Sequence, residues 1–525
     1  MTEAWDSTRP PDTRLGRKVR AWTAVLLAVA SSGCSSGSGT DNRLVEIAIG
    51  PTSLQVVDGG STAQLTATGT YDDGTTRDLT SSVTWTTSDS AVASVDASGL
   101  LHAGWAGPVT VTAAASKIHN TAVLRVAGFA PLAVTRLDAP TAGYLDSPVA
   151  VLDGRGAVLV AYGINAPSER ALVTCAAGPV WPPAWVEHDD GIHDAWLTSA
   201  ADVQLATNAA GIAGMLYRRT TDGLNASRSS FGIAHHDGTA WTWTEPWQGS
   251  IDNSLSANAA ALAVDAAGAL FVAYQSTTDT YPLDELSVAR FDASGFVDVT
   301  SWSEYVTQVY VAVSPSGKVM VLNEWTGSRL FDGASWGPLQ ALPQRIGPGA
   351  RLVLEDDGTG TLFALHSQVL VLRNDGAGWS QPEKLSGTAS VYGGSVAMDA
   401  SGHAVAAWAA PGAGGDEVVA RVFDGTSWGA AQVLDAPPQP DGCCGASLSK
   451  VDVLTDGAGR FVVLWYQGYM QRAAWYDGQW HAAIDLAPGG VFVPQAVMRP
   501  DGQFVVVSDR DTYNALYAST YAFEP

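Results

Sequence analysis

Residues 394–436 contain the repeating unit that decides the fold, and they read GSVAMDASGHAVAAWAAPGAGGDEVVARVFDGTSWGAAQVLDA. Short apolar runs alternate there with turn residues, which predicts strands joined by tight turns. One turn is DASG (399–402), between the first two strands, and another is DGTSW (424–428), before the fourth. Asp-Gly favours a hairpin turn because glycine adopts a positive φ without steric cost. The unit therefore predicts four antiparallel strands.

The same unit recurs through the rest of the chain, and the glycine of its first turn returns about every 49 residues. Its positions are Gly156, Gly211, Gly268, Gly317, Gly360, Gly402, Gly459 and Gly502. The second turn returns as HDGTAW (236–241), FDGASW (331–336), NDGAGW (374–379) and YDGQW (476–480), with FDASGF (291–296) as a variant. A period of about 40–50 residues with four strands per unit indicates a β-propeller. We predict an all-β chain with a single propeller over residues 129–525, with eight blades preferred and seven as the alternative.

The two ends of this region indicate how the propeller closes. The last unit ends after three predicted strands, near Phe523. Residues 130–140 (APLAVTRLDAP) resemble the fourth strand of the unit above, GAAQVLDAP at 429–437. We predict that this N-terminal strand completes the last blade, which leaves the ring without a free edge. The Trp that begins each fourth strand is expected to pack between blades rather than to bind a ligand.

Residues 44–128 show a shorter pattern of alternating apolar and polar residues, which is typical of a β-sandwich. Trp85 is expected in its core. The stretch GGSTAQLTATGTYDDGTTRDLTSSVTWTTSDSAVASVDASGLLHAGWAGPVTVTA (59–113) resembles the bacterial Ig-like domain family, group 2. The resemblance implies a small Ig-like sandwich that serves surface proteins as a spacer or an adhesion module. We expect a spacer here.

The N-terminus has the pattern of an export signal. Four basic residues precede an apolar run at 21–30, which is too short to span a bilayer because a spanning helix needs about 20 residues. The following SSGC resembles a bacterial lipobox, although Ser31 stands where that family prefers Leu. The resemblance implies removal of a signal peptide (1–33) and lipidation of Cys34; ordinary secretion is the alternative. Residues 34–43 are expected to form a flexible tether.

Composition excludes several classes of partner. The formal net charge of −24 disfavours nucleic acid and anionic lipid, so we expect no nucleic-acid partner and membrane contact through the lipid anchor only. Neither a zinc-type cysteine spacing nor a serine elbow, phosphate loop or HExxH motif is present. We therefore expect no cofactor, and leave a bound divalent cation open.

A binding site is expected on one face of the propeller. The first and third turns of each blade share what we call the turn face. The connections between strands two and three, and between blades, share the opposite loop face, where they are longer and more varied. The most polar stretch assigned to the loop face is 181–196, WPPAWVEHDDGIHDAW. Its candidate ligand-binding residues are Trp185, His188, Asp189, Asp190, His193, Asp194 and Trp196, which combine possible metal ligands with aromatic rings that can stack on sugars. A solvated acidic loop is the alternative.

A second unusual stretch on the loop face contains adjacent cysteines, Cys443 and Cys444. In an oxidising compartment they could form a vicinal disulfide; two unpaired thiols are the alternative. Eight-bladed quinoprotein alcohol dehydrogenases carry such a disulfide, but the repeated docking motif of that family is absent, so a quinone is not predicted.

Three functions remain compatible with the sequence, because propellers support all of them. We favour a surface-exposed lipoprotein of the cell envelope, at the outer membrane or cell surface, whose propeller binds a glycan or a protein while the Ig-like domain acts as a spacer. An envelope scaffold without a small ligand is one alternative. A sialidase-like glycoside hydrolase is the other, although the S-x-D-x-G-x-x-W boxes and the Arg-Ile-Pro motif of sialidases are missing. No catalytic residue is predicted.

Overall fold

A computed structural model describes residues 42–524 with internal gaps. The gaps are 53–55, 138–143, 146–147, 154, 166–169, 178–183, 190–202, 222–227, 239, 252–259, 278–283, 348, 366, 388–389, 413–414, 437–447, 468–469, 487–493 and 512–514. Every regular element in the described part is a β-strand, which confirms the all-β prediction. Among these residues, no helix is long and apolar enough to cross a membrane.

The N-terminal domain is an Ig-like sandwich. Its strands are β1 (Leu44–Gly50), β2 (Val56–Asp58), β3 (Thr62–Gln64), β4 (Thr66–Tyr71), β5 (Thr76–Asp78), β6 (Thr84–Thr87), β7 (Ala93–Val95), β8 (Leu100–Ala103), β9 (Gly107–Ala115) and the first half of β10 (Ile118–Arg136). β6, β9, β10 and β2 form one sheet, and β1, β4 and β5 another. Alternate residues such as Ile47, Leu101 and Val111 face a common core. Trp85 is buried in that core, as predicted, and its indole N–H donates to the Thr80 carbonyl at 2.9 Å.

After the sandwich, eight antiparallel sheets follow one another within the described residues. The first sheet contains β11 (Tyr144–Leu145), β12 (Val149–Leu152), β13 (Val158–Asn165), β14 (Arg170–Ala177) and β15 (Ala184–Asp189). The second contains β16 (Val203–Thr207), β17 (Ala213–Thr221), β18 (Arg228–His236) and β19 (Trp241–Ile251), and the third contains β20 (Ala260–Val264), β21 (Leu270–Thr277), β22 (Asp284–Asp292) and β23 (Gly295–Trp302). The fourth contains β24 (Val309–Val313), β25 (Val319–Asn323), β26 (Gly327–Phe331) and β27 (Gln340–Ala341). The fifth sheet contains β28 (Arg351–Leu354), β29 (Gly360–Leu365), β30 (Val369–Asn374) and β31 (Glu383–Lys384), and the sixth contains β32 (Tyr392–Met398), β33 (Ala404–Gly412), β34 (Gly415–Phe423) and β35 (Gln432–Asp435). The seventh contains β36 (Leu448–Thr455), β37 (Phe461–Gln467), β38 (Met470–Tyr476) and β39 (Ile484–Asp485). The eighth contains β40 (Gln495–Met498), β41 (Phe504–Asp511) and β42 (Ala515–Glu524).

The ring closes as the sequence predicts. The second half of β10 pairs antiparallel with β42, from Gly128 opposite Glu524 to Arg136 opposite Tyr517, and so supplies the fourth strand of the eighth sheet. β12 of the first sheet contacts both β16 of the second and β40 of the eighth. Among the described residues, each sheet therefore packs on two neighbours around the ring.

The first turn of each sheet is held by its own side chains. In the sixth sheet, Asp399 Oδ1 accepts hydrogen bonds from the backbone N–H groups of Ser401 and His403, and Gly402 has a φ of 81°. The predicted glycines adopt this conformation except in the fifth sheet, where the expectation for Gly360 is wrong. There Gly358 has the positive φ and its N–H donates to the Glu355 carbonyl, because β29 already begins at Gly360.

Hydrogen bonds on the turn face join the first turns of neighbouring sheets. Arg499 Nε donates to the Gly156 carbonyl at 3.0 Å, so the eighth turn is tied to the first. The same face carries bonds from Arg155 Nη2 to the Gly211 carbonyl, from Asn208 Nδ2 to the Asp265 carbonyl, and from the Ser316 N–H to Asp356 Oδ1. This belt of bonds supplements the apolar packing between sheets.

Three of the repeated Trp residues pack between sheets, which confirms the structural role predicted for them. Trp379 Nε1 donates to Ser328 Oγ of the preceding sheet at 3.0 Å. Trp428 meets Phe363 of the preceding sheet at 6.0 Å between ring centroids, and Trp336 meets Trp302 in the same way at 5.3 Å.

The Ig-like domain docks on the turn face of the seventh and eighth sheets. His481, just after the turn between β38 and β39, lies 3.1 Å from Asp58 of the Ig-like domain and stacks on Trp475 at 4.6 Å. Gly60 packs so closely on residue 483 that a Cβ there would lie 2.2 Å from the Ala483 carbonyl oxygen. The expected boundary between residues 128 and 129 falls inside β10, so the two domains share one strand.

Candidate ligand-binding site on the loop face

The stretch singled out from the sequence is only partly described. Trp185, His188 and Asp189 belong to β15, the outer strand of the first sheet, so this part of the stretch is a strand and not the loop that was expected. The backbone of Trp185 is opposite Cys175 of β14, and that of His188 is opposite Leu172. The remaining candidates, Asp190, His193, Asp194 and Trp196, lie outside the described residues, as do Cys34, Cys443 and Cys444.

A different group of side chains comes together on the loop face of the fourth sheet. We call it the fourth-sheet cluster, and its members are Glu304, Tyr305, Glu324, Trp325 and Arg345. They come from three connections: the one between β23 and β24, the short one between β25 and β26, and the one between β27 and β28. All three connections lie on the loop face because they follow second or fourth strands of a sheet.

Glu304 and Asn323 form the buried base of the cluster. Arg329 Nη2 donates to Glu304 Oε1 at 2.6 Å, and Thr326 Oγ1 donates to Glu304 Oε2 at 2.7 Å. Asn323 is fully buried, and its amide donates to the Tyr305 carbonyl at 2.9 Å while its oxygen accepts from the Trp325 N–H at 3.1 Å. Asn323 thus fixes the backbone of the two residues that carry the exposed rings.

Two aromatic rings stand above this base. Tyr305 is 56% exposed and Trp325 is 42% exposed, and their centroids are 5.8 Å apart with the planes at 70°. The Trp325 indole N–H donates to Thr307 Oγ1 at 2.9 Å. The Arg345 guanidinium lies over the Trp325 ring, 4.0 Å from its centroid. Large exposed rings held in place by buried polar groups are unusual on a soluble surface and typical of binding sites.

Glu324 connects the rings to the interior. Its carboxylate is buried, and Oε1 accepts from Arg345 Nη2 at 3.0 Å and from the Thr307 hydroxyl. Its other oxygen, Oε2, is buried and has no hydrogen-bond partner among the described residues. Because the whole carboxylate is buried, Glu324 affects a ligand through Arg345, whose guanidinium it pairs with, and not by direct contact.

Tyr310 supports the connection that carries Arg345. Its hydroxyl donates to the Gly347 carbonyl and accepts from the Ala350 N–H, both at 3.2 Å. Burial raises the pKa of Tyr310 to about 12, with a smaller contribution from the negative charge of Glu324. The phenol is therefore neutral at physiological pH and keeps its donor.

The chemistry of the cluster suits binding better than hydrolysis. A glycoside hydrolase of the usual kind needs two carboxyl groups free to exchange protons or attack carbon. Both oxygens of Glu304 are already hydrogen-bonded, and Glu324 is buried and paired with Arg345, so the cluster does not present two free carboxyl groups. Among the described residues, no group of three or more His, Cys, Asp or Glu is placed to hold a metal ion.

A cleft on the opposite, turn face is less suited to a ligand. It extends across the second, third and fourth sheets and is lined by residues that include His235, Arg290 and Asp292. His235 Nε2 is within 3.2 Å of the Gly268 carbonyl, and Asp292 accepts from Ser294. Arg290 faces Asp298 at 3.6 Å. These contacts account for the polar side chains as parts of their turns.

Sequence reasoning missed the fourth-sheet cluster because its members are dispersed. Glu304 and Tyr305 precede Glu324 and Trp325 by about 20 residues and share no recognised motif with Arg345. One signal was available in the sequence. In the short polar connection NEWTG (323–327) a Trp follows a Glu, and a large apolar ring in such a connection is expected to be either buried or part of a binding site.

Comparison with known proteins identifies one part of the chain. Residues 46–126 match the family of bacterial Ig-like domains, group 2, as the resemblance had implied. Ice-binding protein 1 of Shewanella frigidimarina is 39% identical over 108 residues, a match that covers 20% of this chain and only 12% of that protein.

Solved propeller structures are similar at low identity. The β-propeller domain of the Trilobed protease from Pyrococcus furiosus is 9% identical with a TM-score of 0.36, and the match covers 64% of this chain and 94% of that one. The six-bladed fungal lectin of Aleuria aurantia is 14% identical with a TM-score of 0.29, covering 66% of this chain and 97% of that one. Both TM-scores are below 0.5, so neither likeness identifies a ligand or an activity for this chain.

Proposed function

We propose that this chain is a lipid-anchored protein of the bacterial surface whose propeller binds a glycan through the fourth-sheet cluster. The observation that carries the proposal is the pair of exposed rings, Tyr305 and Trp325, fixed from below by buried Asn323. Rings held in position lose little conformational freedom on binding, so their burial by a sugar face contributes fully to affinity. Arg345 adds hydrogen-bond donors over one face of the Trp325 ring.

The relation of the two domains supports this proposal. The Ig-like domain contacts the turn face, at Asp58 and Gly60, whereas the cluster lies on the loop face. If the N-terminus is anchored at Cys34, the Ig-like domain holds the propeller with its binding face directed away from the membrane. It then acts as a spacer with a fixed orientation, because β10 runs through both domains.

The proposal is tested with a glycan array probed by the purified full chain and by two variants. Trp325→Ala removes the exposed ring, and we expect at least about a tenfold loss of affinity, the scale of a binding hot spot. Phe296→Ala is the matched control, because Phe296 is 51% exposed on β23, outside the cluster. Equal glycan binding by both variants contradicts the assignment of the site to the fourth-sheet cluster. No glycan retained by the wild type contradicts glycan binding itself and favours a protein partner or a scaffold role. Altered glycans on the array indicate hydrolysis instead.

A further inference from the structure

We infer that the fourth-sheet cluster selects uncharged sugars over acidic ones. The inference rests on the proposed glycan binding and specifies its ligand class. It follows from how the four charged side chains at the site are paired and from what their remaining hydrogen-bonding atoms require.

No positive charge in the cluster is left to neutralise an acidic sugar. Arg329 is paired with Glu304 at 2.6 Å, and Arg345 with Glu324 at 3.0 Å. Each pair sums to zero, and the chain as a whole carries −24. A ligand carboxylate beside Arg345 would also lie close to the carboxylate of Glu324. Like charges at short range oppose binding, and the partly buried site screens them less than water does.

The hydrogen-bonding atoms that the cluster offers to a ligand are donors. The guanidinium of Arg345 has five N–H groups, and Glu324 is the hydrogen-bond acceptor described for it. The carboxylates of Glu304 and Glu324 are both buried, so a ligand meets the N–H groups of Arg345 and not these acceptors. A sugar hydroxyl can accept from Arg345 without bringing a second negative charge close to Glu324.

The rings determine the rest of the ligand. Tyr305 and Trp325 offer apolar surface beside these polar atoms, with their planes at 70°. The C–H face of a pyranose packs on such a ring while its hydroxyls point to the edge. The combination describes a neutral hexose unit bound by one face.

The test compares oligosaccharides that differ only in charge. Glucose, galactose and mannose oligomers are each paired with the uronic-acid oligomer of the same length, and affinities for the full chain are measured by calorimetry. We expect the wild type to bind a neutral series at least tenfold more tightly than its acidic partner. The affinity for the neutral series should change little between 50 and 500 mM salt, because that ligand carries no charge.

Glu324→Gln then tests the mechanism, because it keeps the shape of the side chain and removes its charge. With Arg345 no longer neutralised, the variant should gain affinity for the acidic series and change little for the neutral one, which narrows the preference. Glu383→Gln, on the exposed strand β31, is the matched control and should change neither. A melting curve compares the fold of the variants.

The outcomes separate the two proposals. A wild type that prefers the uronic-acid series overturns this inference and leaves glycan binding in place. A wild type that binds neither series but retains another glycan on the array overturns this inference alone. A wild type that binds neither series and retains no glycan on the array overturns the proposed function, and this inference with it. A preference for neutral sugars that Glu324→Gln leaves unchanged, in a folded variant, removes Glu324 from the explanation and overturns the mechanism. If Glu324→Gln melts at a lower temperature than the wild type, the inference is judged on the wild type alone. The two measurements are then the affinities for neutral and acidic oligosaccharides and their dependence on salt.

Discussion

Phe129 is the residue where closure of the ring and attachment of the Ig-like domain can be tested by one substitution. It lies on β10 immediately after the expected domain boundary, and its side chain is fully buried. Its ring packs edge to face against Trp475 and Phe504, with ring centroids 5.0 Å and 4.9 Å away. Phe129→Ala removes this ring from a junction built from the seventh and eighth sheets and the shared strand.

The expected loss of stability is about 3–5 kcal/mol, the usual cost of Phe→Ala in a core. We expect the upper part of that range for two reasons. The neighbours are rigid aromatic rings that cannot move in to fill the space, and each edge-to-face pair adds about 0.5–1.5 kcal/mol beyond burial. β42 also loses packing where it meets β10, because Phe523 touches the same ring.

Urea denaturation followed by Trp fluorescence measures the effect. Leu132→Ala is the matched control, since it lies on the same strand with 52% of its surface exposed and should change stability by no more than about 0.5 kcal/mol. A chain of two domains can unfold in more than one transition, and the transition that Phe129→Ala shifts shows which domain depends on this ring. A Phe129→Ala midpoint close to that of Leu132→Ala would refute the idea that β10 closes the ring through a packed core.

Two further predictions follow from particular turns. Gly60→Ala places a Cβ 2.2 Å from the Ala483 carbonyl oxygen, at a residue with a φ of +76°. The clash should loosen the junction between the two domains and increase protease cleavage there. Gly74→Ala is the control, because Gly74 has a φ of +78° but open space around it, so the substitution adds backbone strain without a clash. The Thr426 hydroxyl and neighbouring backbone N–H groups lower the pKa of Asp424 from 3.8 to about 2, so its contribution to stability is complete above pH 3.8 and is lost as the pH falls towards about 2. An NMR titration should place the Asp424 midpoint near 2 and show it rising in Thr426→Ala; an unchanged midpoint in that variant contradicts the assignment.

The fold could be predicted because its signals are local and repeated. A glycine with positive φ is required at each first turn, and Asp-Gly before Trp recurs at five of the third turns, so the period is visible without any long-range information. The closing strand was also predictable, since its pattern copies a fourth strand. The error at Gly360 has a local cause: DDGTG (356–360) offers two glycines, and the backbone uses Gly358 for the turn.

The candidate site was not predictable in the same way. Its residues lie in three separate connections, and only the ring brings Tyr305, Trp325 and Arg345 together. Composition directed attention to the residues around His188 instead, because clustered His and Asp in sequence are easy to see. Topology directed the search to the loop face, but which connection carries a fixed aromatic pair depends on buried partners such as Asn323.

β10 also determines how the molecule carries mechanical load. A force that pulls the Ig-like domain away from the propeller acts along the axis of β10, parallel to the axis of β42. The backbone hydrogen bonds between these strands lie across that direction, so they resist in shear and must break together. Under tension, therefore, separating the two domains and opening the ring are a single rupture.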